Sequence, residues 1–212
     1  VAVDLPHSQP LGVLEPGEFR DHLYTHHPPV VSLLLAGLFR VFGESQAMPR
    51  LLAALCGAEM LWQVCWILGR AGSPAALVGG FLYLALAPMT LYHGMAIDHE
   101  PVVLAAMATA LRGWLSWQQD GSASGRRLFL FTAAAACAVF WSGFLLVAAF
   151  VLWHLLRRDR PAARTVGTLC GLSALVLAAF AAHLAVLKGA DGFLDQWTAF
   201  RMRTGQGSHA GD

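Results

Sequence analysis

Charge is what this sequence has least of. Only 13% of its 212 residues are Asp, Glu, Lys or Arg, against about 25% in an ordinary soluble domain. A chain so poor in charge lacks the side chains to face water on every side, which argues against a soluble globular enzyme. Metal-type cysteine spacing is missing too. Cys56, Cys65, Cys137 and Cys170 each sit inside an apolar run, with no CxxC pair and no suitable histidine nearby, and read as small buried hydrophobes. No HExxH pattern, signal-peptide pattern, internal repeat or low-complexity tract is found. The formal net charge of +1 is uninformative by itself, and no nucleic-acid partner is expected. What is abundant is apolar surface. Hydrophobic residues make up 57% of the chain and mean hydropathy is +0.56, so the expected fold class is all-α, a polytopic transmembrane helix bundle.

The apolar runs are set apart by clear breaks. Residues 1–27 are polar and carry Pro6, Pro10 and Pro16, which reads as an external loop. Pro28 to Phe42 is apolar but short of the ~20 residues of a full span. Arg50 to Leu68, Pro74 to Leu91 and Pro101 to Trp117 follow as candidate spans. The prolines Pro74 and Pro101 are suited to a helix start. "QQDGSASGRR" reads as a flexible loop. Leu128 to Leu156 is too long for one span, and "FWSGF" at its middle offers a bend, so a tight helical hairpin is expected. Thr165 to Leu187 is a last clear span, and six or seven membrane helices are expected in all. Residues 28–187 thus form the membrane module, and 188–212 an external or interfacial segment. Both chain ends read as cut.

Arginines order these spans across the bilayer. Arg70, the pair Arg126 and Arg127, and the group Arg157, Arg158, Arg160 and Arg164 occupy three loops, and short basic loops stay in the cytoplasm. The loops rich in histidine and carboxylate then face outward, and Arg50 opens its helix outside. Pro28–Phe42 would therefore begin and end on one side. A half-penetrating or interfacial helix solves this parity problem; a misread break elsewhere is the alternative.

Two polar clusters stand at the outer helix starts: Asp21, His22, His26, His27 with Pro28 and Pro29, and Tyr92, His93, Asp98, His99, Glu100 with Pro101. Ionisable groups at a membrane edge mark functional sites. A helix N-terminus favours an anion such as a phosphate, histidine or arginine adds charge-assisted hydrogen bonds to it, and a carboxylate serves as general base. Plain alternatives stand beside these. Asp98 and Glu100 suit N-terminal capping, and His26 and His27 suit a polar loop. Arg50, which opposes the dipole at its helix start, suits snorkelling as well as a phosphate contact. His22, His26, His93, Asp98 and Glu100 carry metal-ligand chemistry, but without a metal-site spacing. Glu59, inside a span, is expected to face the bundle interior and pair with a polar group. Trp62, Trp66, Trp114, Trp117 and Trp153 read as belt anchors.

"YTHHPPVVSLLLAGLFRVFGESQAMPRLLAAL" and "LAPMTLYHGMAIDHEPVVLAAM" together resemble glycosyltransferase family 39. These are polyprenyl-phosphate-dependent enzymes of GT-C fold that include protein O-mannosyltransferases and lipid A aminoarabinose transferases. The matching positions are Tyr24, His26, His27, Pro28, Pro29, Phe42, Gly43 and Arg50 in the first segment, and Pro88, Tyr92, Gly94, Asp98, Glu100 and Pro101 in the second. The resemblance covers roughly Gly12 to Leu156. It implies a GT-C-like bundle in the membrane, bacterial inner membrane by analogy, with its active site outside. It implies a polyprenyl-phosphate-linked sugar as donor and a lipid, glycan or protein hydroxyl as acceptor. It implies substrate contacts from His26, His27, Arg50, Tyr92, Asp98 and Glu100, with no metal assigned and a divalent cation only if one is used. The family's catalytic base is an Asp just after the first transmembrane helix. That helix is not found here, so the base is expected upstream of Val1. Asp21, Glu18 and Glu15 are the substitutes within the chain. A non-enzymatic membrane protein, such as a transporter or assembly subunit, is the other reading, and Glu59 is the residue that most supports it.

Overall fold

The computed structural model describes residues 28–45, 47–70, 72, 74–86, 99–157 and 160–203. Among them are eight helices and no strand: α1 (Val30–Phe42), α2 (Ala47–Arg70), α3 (Pro74–Leu86), α4 (Glu100–Asp120), α5 (Ala123–Val139), α6 (Ser142–Arg157), α7 (Arg160–Lys188) and α8 (Ala190–Arg203). The chain divides into two compact units, His27–Phe180 and the remainder, whose described part is residues 181–203. The all-α class is as expected. α2 and the stretch Ala162–Lys188 of α7 are long and apolar enough to cross a bilayer, and Val30–Phe42 and Ser142–Arg157 are shorter apolar helices. Only 11% of the most apolar window of α2 is buried, and 22% of that in α7. The core helix of a soluble protein is largely buried, so these faces are built for an apolar surrounding.

The centre of the first unit is α4–α5–α6. α4 and α5 are antiparallel and joined by only Gly121 and Ser122. Gly121 ends α4 at φ 65, its N–H bonded to Trp117 O, a left-handed cap that glycine adopts without strain. The Ser122 hydroxyl accepts from Gly125 N at 3.1 Å and so starts α5 as an N-cap. The expected flexible loop is therefore a two-residue turn. Its serine and glycines serve as caps, a use that composition alone does not separate from a loop. The two helices come into backbone contact. A Cβ on Gly113 would stand 2.6 Å from Phe129 N and 2.8 Å from Gly125 O, so only glycine fits.

The expected hairpin is present. α5 ends at Val139, Phe140 and Trp141 turn the chain, and α6 returns. Gly143 lies against the backbone of Ala136 and Cys137, again with no space for a Cβ. Trp114, Phe129 and Phe150 form the core, with ring centroids 5.2 Å (Trp114–Phe129), 4.8 Å (Trp114–Phe150) and 4.6 Å (Phe129–Phe150) apart. The edge-on pairs Trp114–Phe129 and Phe129–Phe150 suit the aromatic quadrupole. Trp114 is thus a core residue and no belt anchor. Trp62 and Trp153 are exposed, and Arg157 stacks on Trp153 at 4.5 Å. α7 joins this core through Ala162 and Leu169. Farther along, Trp141 meets Phe180 at 5.4 Å. The cysteines are free, with Cys137 buried, Cys56 and Cys65 half-buried, and Cys170 exposed. The expectation of buried thiols holds fully only for Cys137; in a membrane helix an apolar thiol is equally at home on the outer face.

α2 lies along the other side of α4 and parallel to it. Arg70, at the end of α2, bonds Gln119 and Asp120, at the end of α4, with both distances 2.9 Å. The short turn after Asp120 leads straight to Arg126 and Arg127, so Arg70 and this pair share one end of the bundle. α6 and α7 bring Arg157 and Arg164 to the same end, as the charge pattern required. The opposite end gathers the start of α4, the end of α5 and the start of α1, where Val31, Val103, Ala136 and Val139 pack together.

The geometry of α1 favours the half-penetrating account of Pro28–Phe42. Its 13 residues reach about 20 Å, well short of a ~30 Å hydrocarbon core. It begins beside Val103, in the first turn of α4. It ends at Gly43, whose N–H bonds Phe39 O at φ 82, and residues 43–45 lead toward α2. The start of α2 also belongs to that end, because α2 runs parallel to α4. α1 therefore enters and leaves on one side, with Leu33, Leu34, Val41 and Phe42 exposed. α2 itself starts earlier than expected, at Ala47, because the Ser45 hydroxyl accepts from Ala47 N at 3.1 Å. In the second unit, residues 190–203 form a helix with Phe193, Leu194 and Trp197 exposed.

Candidate functional site

Of the expected substrate contacts, Arg50 and Glu100 lie among the described residues. His26, His27, Tyr92 and Asp98 lie outside them, as do the substitute bases Asp21, Glu18 and Glu15 and the further histidines His22 and His93. The site is therefore built from α2, α4 and the start of α1.

Glu100 is the first residue of α4, followed by the buried Pro101, and His99 stands at the cap position without a side-chain cap bond. Proline is at home there because the first helical N–H groups have no partner within the helix. A carboxylate there lies along the favourable end of the helix dipole. Its Oε2 is buried and has no hydrogen-bond partner among the described residues. The His99 ring lies 6.0 Å from Phe140, which ties the start of α4 to the turn between α5 and α6. Pro28 is buried beside this layer, Pro29 precedes α1, and Leu33 N bonds Pro29 O at 2.9 Å. Arg50 is exposed one turn into α2.

The relation between Arg50 and Glu100 follows from the seam between their helices. Polar contacts cross it between residues 49 or 50 apart in sequence: Thr109 with Glu59, Arg112 with Gln63, and Arg70 with Gln119 and Asp120. An almost constant offset along parallel helices means that their residues march in step. The same offset of 50, carried toward the N-termini, sets Arg50 level with Glu100. A cation and a carboxylate thus share one layer at the end of the bundle opposite Arg70, Arg126 and Arg127. Such a layer can bind an anion through the cation and the helix N–H groups, and orient a hydroxyl through the carboxylate. Among the described residues no three His, Cys, Asp or Glu side chains gather as a metal group.

Glu59 pairs as expected but does not face the interior. It is exposed near the middle of α2, and its Oε1 accepts from Gln63 Nε2. The Thr109 hydroxyl approaches the same oxygen at 3.4 Å but has a single proton, which it gives to Ala105 O at 2.8 Å. Gln63 is 3% exposed, and its Oε1 accepts from Arg112 Nη1 at 3.0 Å. Arg112 also lies over the Trp66 ring at 4.9 Å, and Arg70 over the same ring at 4.7 Å. Trp66 is therefore a stacking partner for two guanidinium groups rather than a belt anchor. Gln63 and Arg112 are functional-looking residues that the sequence reading does not single out. The available signal is their spacing: Glu59, Gln63, Trp66 and Arg70 follow i, i+4, i+7, i+11, one helix face, and Arg112 is an arginine inside an apolar run.

The family model described as dolichyl-phosphate-mannose-protein mannosyltransferase matches residues 26–185. No curated protein and no solved structure matches the chain.

Proposed function

The chain belongs to the dolichyl-phosphate-mannose-protein mannosyltransferase family, and from that premise we propose that it moves a sugar from a polyprenyl-phosphate donor to an acceptor hydroxyl at the outer face of the membrane. A carboxylate takes the proton of the acceptor hydroxyl. The freed oxygen attacks the anomeric carbon from the face opposite the phosphate. The bond from that carbon to the phosphate oxygen breaks, and the polyprenyl phosphate leaves with its electron pair. The product has the inverted configuration. Arg50, with His26 and His27, meets the leaving phosphate, where a fixed cation stabilises charge that grows during the reaction. Glu100, with Asp98 and Tyr92, orients the sugar or the acceptor. The acceptor is a lipid, glycan or protein hydroxyl.

What supports this reading is the constant offset of the α2–α4 seam, which by extension levels Arg50 with Glu100 at the end of the bundle away from the arginine-rich turns. Short basic loops stay in the cytoplasm, so that layer belongs on the outer side of a plasma membrane. A transporter would concentrate its ionisable residues at the bilayer midplane, on broken helices. Glu59 is near mid-helix, but α2 is unbroken there and Gln63 holds the carboxylate.

The test is sugar transfer from polyprenyl-phosphate-mannose by the full-length protein that contains this chain, in lipid nanodiscs, read as release of polyprenyl phosphate. Arg50→Ala should lower kcat/KM by about 10- to 100-fold, the worth of a charge-assisted hydrogen bond to phosphate. Full activity of Arg50→Ala would remove the arginine from the site, and no donor turnover by the unaltered full-length protein would remove the reading.

A further inference from the structure

We propose that Gln63, Glu59 and Trp66 of α2 form a socket that grips Arg112 of α4, and that this grip is a positioning device that fixes the register in which Arg50 stands level with Glu100. The functional half of this inference rests on the transferase reading; the structural half does not.

The socket is argued from its chemistry. A guanidinium half-buried against an apolar helix is expensive and must find partners. Arg112 finds two partners on α2: the amide oxygen of Gln63 at 3.0 Å and the face of Trp66 at 4.9 Å. The Gln63 amide has one orientation that satisfies both its neighbours. Its NH2 donates to Glu59, one turn earlier on the same helix, which turns its oxygen toward Arg112. Glu59 therefore acts on Arg112 through Gln63, while the attraction between its negative charge and the guanidinium adds to the hold. All three socket residues lie on one stripe of α2, so a slip of one turn would carry Arg112 away from the whole set at once. Apolar packing has no such preference, since leucine and alanine faces slide past one another at small cost. The Arg70 contacts to Gln119 and Asp120 keep the same offset but are exposed, where ion pairs contribute little.

Register is measurable without turnover. By the offset of 50 seen at the Thr109 and Asp120 contacts, native Cys56 stands level with Ala106 and one turn away from Val102. In nanodiscs, oxidation should join Cys56 to a cysteine at A106C about tenfold faster than to one at V102C. Gln63→Leu removes the amide, and the preference should fall by about three- to tenfold, in line with the worth of hydrogen bonds between membrane helices. The exchange E59Q/Q63E rebuilds the set with its members swapped. The amide, now at position 59, donates to the carboxylate, now at position 63, and that carboxylate accepts from Arg112. The exchange should restore the preference. Loss in Gln63→Leu with recovery in the exchanged chain supports the socket. An unchanged preference in Gln63→Leu, or a loss that the exchange does not repair, overturns it. On turnover, Gln63→Leu should raise KM for the lipid-linked donor and lower kcat together, and the exchange should bring both back. A register that moves while both constants stay fixed overturns the positioning role and leaves the transferase reading intact. If even the unaltered full-length protein that contains this chain turns over no donor, that reading fails, and the cysteine preference alone decides the socket.

Discussion

α4 is held on its two sides by different means. Toward α5 it uses closeness: Gly113 and Gly125 bring the backbones together, and Trp114, Phe129 and Phe150 fill the space beside them. Toward α2 it uses a few polar contacts at a constant offset. The contrast teaches a division of labour. In lipid, tight van der Waals packing drives helices together, because the tails are as apolar as the side chains. Packing of that kind sets distance more firmly than register. Polar groups supply register because each has few acceptable partners.

Three substitutions probe this contrast. The largest effect is expected on the packed side. Phe129→Ala removes a fully buried ring that touches Trp114 and Phe150, and should destabilise the fold by about 3 kcal/mol, read as unfolding in denaturing detergent. Gly113→Ala comes next. The new methyl would meet backbone on α5, and forcing those helices apart should cost about 1–3 kcal/mol in the same measurement. The smallest effect is expected at the exposed rim of the polar side. Asp120→Asn breaks the Arg70 ion pair and should change stability by less than about 1 kcal/mol, shrinking further in high salt. A large loss at Asp120, or none at Gly113, would contradict the division.

Much of the packed side is legible in the sequence. The apolar run from Leu128 to Leu156 is too long for one helix, and its Trp-Ser-Gly interruption marks the turn that stands at Phe140 and Trp141. The grouping of Arg70 with Arg126 and Arg127 follows from charge alone, and charge also poses the parity question to which a first helix that does not cross is one answer. The two-residue turn at Gly121 and Ser122 is not legible, because a serine that caps and a serine that loops have the same composition. Trp114 misleads for a related reason: its place near the end of an apolar run says nothing of which way the ring faces. The polar seam is half legible. Glu59 announces itself as a carboxylate in need of a partner, but Gln63 and Arg112 are joined only by folding, across 49 positions of chain. Arg50 and Glu100 stand out one by one, and their common layer emerges only from the parallel run of α2 and α4.

α1 has a consequence for how this chain tolerates change. Because it returns to the side it came from, it adds no crossing to the count. Length changes that leave it short of a full span keep the sense of the helices that follow. The end of the bundle that contains Arg50 and Glu100 thus keeps its side under such variation in the segment just ahead of it.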